Sequence, residues 1–142
     1  MGVLTEYFIA RNDQDAARAH ASPTGPKRAG FKTAEWKSLD PVVTMATLHE
    51  VMTGQNEFKP PDSTVAGTDK DEHWVFRVYD DHFATLADLP EERLGDVAAK
   101  QVATEEINDW PLDDARQALS ELVALAREAR SSGAHLYCWV SR

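Results

Sequence analysis

The chain has 142 residues, 42% of them hydrophobic and 27% charged, which is globular composition and too apolar for a disordered segment. That length suits a single domain, 1–142, able to bury roughly two-thirds of its extended surface. The 24 acidic and 15 basic side chains leave a net charge of −9, which repels phosphate backbones and anionic bilayers at long range, so neither nucleic acid nor membrane is an expected partner. One cysteine excludes an internal disulfide and a thiolate-rich metal site.

The opening MGVLTEYFIARND has neither the basic stretch nor the long apolar core of a secretory leader, and no apolar run approaches the ~20 residues of a membrane span. A cytoplasmic protein is expected. VLTEYFIA (3–10) reads as the first strand. Asp13 to Ala21 carries helix-forming alanines and arginines, and SPTGPKRAG breaks that helix into a loop over 22–30.

The segment 39–54 carries the clearest helix signal. Asp40 is placed to cap the free N–H groups, Pro41 occupies the first helical position at no cost, and Gly54 suits the left-handed residue beyond the end. Val42, Met45, Leu48 (or His49) and Met52 recur at helical spacing. Residues 55–72 hold a double proline and several turn formers, so they form a long connection with a brief strand or turn at Ser63–Ala66.

HWVFRVY (73–79) alternates, with Trp74, Phe76 and Val78 on one face and His73, Val75, Arg77 and Tyr79 on the other. Asp80 or Asp81 is the expected cap of a short helix through Phe83, Leu86 and Ala87. A second helix over 89–107 starts at Pro90, with Glu91 and Glu92 near its positive end and Leu94, Val97, Ala98 and Val102 as its stripe. DDARQALSELVALAREARSSG (113–133) is the longest helix, acidic at its start, basic at its finish and closed by Gly133. AHLYCWV ends the chain as a strand. The resulting fold class is α+β (or α/β), a small three- to four-stranded sheet packed against several helices, on one or both faces, with helix dominant.

The last strand contains the only cysteine, three residues after a histidine. In a strand such residues point to opposite faces, so His135, Tyr137 and Trp139 share one side and Leu136, Cys138 and Val140 the other. Cys138 therefore reads as a small core hydrophobe, beyond the reach of His135.

No stretch supplies a complete catalytic or ligand-binding signature. HEVMTG (49–54) lacks the second histidine of a zinc-protease helix, and TDKDEH (68–73) lacks the spacing and glycine of a calcium loop. SPTGPKRAG has neither phosphate-loop nor dinucleotide order. Neither a metal nor another cofactor is expected. An enzyme would assemble its site from distant residues, for which the candidates are His49, Glu50, His82, Glu105 and Glu106. General acid–base work would require at least one histidine to meet a carboxylate in a cleft. Four tryptophans are many for this length, and Trp36 and Trp110 fall next to loops. Loop aromatics either close the end of a core or anchor an interface, and Trp36, Phe58 and Trp110 are the candidate anchors.

Three stretches carry a family resemblance: the MG start running at once into a strand (MGVLTEYFIA), the helix ending LHEVMTG, and the LSELVALAREARSSGAHLYCWV helix and strand. In these the chain resembles the YfbM-like family of small uncharacterised bacterial proteins, departing from it in the middle region. It is similar also to actinobacterial hypothetical proteins of no assigned activity. Neither resemblance implies catalytic residues. The leading expectation is thus a bacterial, non-enzymatic protein-binding module whose partner is a basic protein. The alternatives are a small hydrolase or transferase with a His/carboxylate site, and a structural homodimer binding itself.

Overall fold

HLYCWVS folds into a strand at the centre of the sheet, and its alternation organises the rest of the molecule. The computed structural model describes residues 4–21, 25–27, 29–35, 43–54, 64–68, 70–103 and 111–141. Its elements in chain order are β1 (Leu4–Ala10), α1 (Asp13–His20), β2 (Thr33–Glu35), α2 (Val43–Thr53), β3 (Thr64–Ala66) and β4 (His73–Arg77). After these come α3 (Asp80–Asp88), a 3₁₀ turn (Glu91–Arg93), α4 (Leu94–Val102), α5 (Leu112–Ser131) and β5 (His135–Ser141).

Among the described residues the sheet has five strands in the order β2-β1-β5-β4-β3, which corrects the expected three or four. The extra strand is Thr33–Glu35, too short and too polar to signal itself. It forms by pairing antiparallel with β1, Glu6 opposite Glu35 and Phe8 opposite Thr33. Every strand pair is antiparallel, so the mixed fold is of the α+β kind. The brief strand foreseen near 63–66 is β3.

Helices cover both faces. Leu136, Cys138 and Val140 join Tyr7 and Val78 in a core closed by α2, α3, α4 and α5. Tyr137 and Trp139 turn to the opposite face, where α1 lays Ala16 and Ala19 over Phe8, Ala10 and Val75. The larger core depends on α5, which buries Ala115, Ala118, Leu119, Leu122, Val123, Leu125, Ala126 and Ala129 along one face. Truncating a fully buried leucine such as Leu119 to alanine costs about 3 kcal/mol, transfer and cavity together.

Side chains from one helix terminate another. Arg127 and Arg130 of α5 donate to the carbonyl oxygen of Ala87 at the end of α3, each at 3.2 Å, and Arg130 pairs with Asp88. Arg93 donates to Met52 O at the end of α2, also at 3.2 Å. α1 starts on Asn12, whose side chain accepts from the Asp15 N–H at 2.8 Å.

Two helix starts differ from expectation. The residue preceding α3 is Tyr79, which makes no side-chain cap, while Asp80 and Asp81 lie inside the first turn, where their charge meets the positive end of the helix. The stretch from Pro90 opens with the 3₁₀ turn before α4 begins at Leu94. The predicted caps Asp40 and Pro41 lie outside the described residues, as do 104–107 of the predicted 89–107 helix. Gly54 and Gly133 adopt φ +76° and +73°, the left-handed geometry foreseen after α2 and α5.

Candidate functional site

Two of the five residues expected to share an enzyme site do meet. Met45, Leu48 and Met52 form the buried line of α2, and His49 follows Leu48 to the half-buried edge of that line. From α3, His82 enters the core with Leu86 and Ala87 and is fully buried. The imidazole rings of His49 and His82 lie 4.7 Å apart at 40°, and the Tyr79 ring meets His82 edge-on at 5.5 Å. Burial pushes the His82 pKa down to about 4, helped by like-charge repulsion from His49 and opposed by Asp81. Burial also lowers His49, again against Asp81. Both imidazoles are neutral at neutral pH. Glu50 is exposed on α2, and Glu105 and Glu106 lie outside the described residues.

A second histidine pair escaped the sequence reading, which weighed TDKDEH as a calcium loop. His20, at the end of α1, stacks 4.9 Å from His73 at the start of β4. His20 Nε2 lies 3.6 Å from Asp71 Oδ2, and His73 Nε2–H donates to the His20 carbonyl at 2.7 Å. The Thr68 backbone N–H holds the Asp71 pKa down, with smaller help from the Thr68 hydroxyl and the two histidines against partial burial. Gly67 makes this turn possible. Its φ is +111°, and a Cβ there would stand 2.5 Å from Trp74 Cδ1. Trp74 Nε1 in turn donates to Thr68 O at 2.7 Å. His20 is 53 residues from His73, so no local spacing pointed to the cluster.

His135 and Cys138 stay apart, as the strand geometry requires. His135 Nδ1 accepts from Arg77 Nη2 at 3.2 Å, while the buried Cys138 lies in the core on the other face. Among the described residues no group of three histidine, cysteine or acidic side chains is placed to hold a metal ion. Nor is any helix among them long and apolar enough to cross a membrane.

The three aromatic anchors, Trp36, Phe58 and Trp110, lie outside the described residues. Within those described, the exposed large hydrophobic is Leu112, at 46%. It opens α5, and the next residue in the chain, Asp113, helps to line a groove of about 790 Å³ with Glu91, Glu92, Leu94, Arg116 and Gln117, among others. Three carboxylates there face one guanidinium, so the groove is acidic. A second groove, of about 520 Å³, runs beside β2 and α5. Its two lysines, Lys27 and Lys32, are outnumbered by Glu35, Glu121 and Glu128, and Lys32 is tied to Glu128 at 2.7 Å.

This architecture, an antiparallel sheet with helices on both faces, was compared with known proteins. No family model matches the chain, nor does any curated protein. Among solved structures it is similar to the crystal structure of YfbM from Escherichia coli, a protein of unknown function, with 12% identity and a TM-score of 0.47. The alignment covers 96% of this chain and 99% of that one.

Proposed function

We propose that this chain is a non-enzymatic module that binds a basic segment of another protein, and that it works in the cytoplasm. The observation that carries the reading is the acidic groove of Glu91, Glu92 and Asp113, with the exposed Leu112 adjoining Asp113 in the chain. Carboxylates on an open surface attract a cationic segment over a distance of about one Debye length, and an apolar side chain next to them offers an anchor. The net charge of −9 adds to that attraction. The His49–His82 imidazoles, neutral and packed into the interior, suit a structural role better than proton transfer to a substrate.

The test is an affinity pull-down from native cytoplasm at low and high salt, run beside a Glu91→Lys, Glu92→Lys variant. A basic protein retained by the wild type, released by salt and lost by the variant is the expected result. Equal capture by both forms, or an empty pull-down, sinks the reading. The rival reading, a small hydrolase or transferase, is favoured by the meeting of His20 with Asp71 at 3.6 Å. Screening hydrolase substrates with a His20→Gln variant alongside distinguishes it, since activity independent of His20 overturns it.

A further inference from the structure

The helix α2 packs on α3 and α4, whereas α5 and α1 lie directly against the sheet. Its buried contribution is Met45, Leu48 and Met52, with the His49 ring tilted against His82 at the seam with α3. We propose that this pair of touching histidines is an acid-sensitive latch, which releases α2 from α3 and α4 when the imidazoles take up protons.

Two imidazolium charges with ring centres 4.7 Å apart repel one another, and the fully buried His82 must also give up its water to stay there. Swinging α2 outward relieves both penalties and leaves the sheet intact. The groups facing the pair offer little compensation. Asp81 is the carboxylate felt by both rings, but it is exposed, and Tyr79 presents a ring edge to His82. The buried side of α4 consists of Leu94, Val97, Ala98 and Gln101, while its Asp96 and Lys100 pair with each other on the surface at 3.2 Å. Glu50 is exposed on α2, and Arg93 is committed to the Met52 carbonyl. His82 protonates at about 4, below the ordinary histidine value of 6.5, so the seam is closed at neutral pH and weakens as pH falls through that interval. An open α2 exposes Met45, Leu48 and Met52, an apolar strip that is hidden at neutral pH.

Hydrogen exchange measured at about pH 7 and about pH 4, corrected for intrinsic rates, tests the latch. Amides of 43–53 should lose about tenfold or more of their protection at the lower pH, while β1 and β5 keep theirs. Unchanged protection in α2 overturns the proposal, and so does a parallel loss in the sheet, which would be global acid unfolding. A His49→Gln variant, altered at a half-buried site, should lose the part of the pH effect that repulsion between the two rings adds, and so open at a lower pH than the wild type. An identical acid response in that variant overturns the role of the pair.

Discussion

Tyr137 Oη donates to Asp13 Oδ1 at 2.7 Å, joining β5 to the first turn of α1 across 124 residues of sequence. Arg77 Nη1 reaches the same carboxylate oxygen at 3.4 Å, so Asp13 ties α1 to two adjacent strands. The ring beneath the hydroxyl is fully buried and stacks on Phe8 at 5.7 Å.

Replacing Tyr137 with Phe keeps that stacking and removes one hydrogen bond to an ionised acceptor, so chemical denaturation should show a loss of about 1.5 kcal/mol. Burial, and then Asp13, raises the pKa of the phenol above its ordinary value of 10.0. The bond's contribution is therefore complete below 10.0 and declines as pH rises beyond it, because only the unfolded chain releases the proton readily. Equal stability of Y137F and wild type at neutral pH would remove Asp13 as an anchor.

Asp15 gives the opposite dependence. Burial opposes its ionisation, but the Arg11 backbone N–H at 3.1 Å and the guanidiniums of Arg11 and Arg18 outweigh it, and the carboxyl titrates at about 2. Stability from this cluster is present above 3.8 and is lost as pH falls towards 2. Because the guanidiniums are 82% and 60% exposed, solvent screening reduces the contribution to about 1 to 2 kcal/mol. Urea denaturation of Asp15→Asn across the acid range should show that deficit at neutral pH and convergence with wild type near the lower limit.

Glu6 is a buried carboxylate under strain. Burial, and then Glu35 on the neighbouring strand, raises its pKa, although the Lys27 backbone and the Thr33 side chain partly compensate. Among the described residues its Oε1 has no hydrogen-bond partner, and neither has Nε1 of Trp139, the residue opposite it in β5. A raised carboxyl favours folding at low pH and loses that advantage as pH rises through the folded-state value. Glu6→Gln removes the charge without changing shape, so its melting temperature should exceed the wild type's at neutral pH and match it near pH 4, within about a degree. A lower melting temperature at neutral pH would show that the ionised carboxylate is favourable where it stands.

Local periodicity made a good part of the fold legible. The alternation of HLYCWV divided Cys138 from Tyr137 and Trp139, and the two cores divide in the same way. The spacing of Met45, Leu48 and Met52 marked the buried line of α2, and Gly54 and Gly133 marked helix ends, because only glycine adopts those backbone angles cheaply. Asp80 and Asp81 misled as caps, since an acid in the first turn and an acid just before it read alike.

The amino-acid sequence by itself determined where α1, α2 and α5 run among the described residues and how β5 alternates, because those depend on neighbours within one or two turns. Only the tertiary structure decided that TAE becomes an edge strand, that α1 covers the outer face of β5, and that Glu6 is buried against Trp139. It also decided which histidines meet. His49 with His82 and His20 with His73 are brought together by packing between elements, and stacking and burial at such distances depend on chain topology that no local pattern encodes.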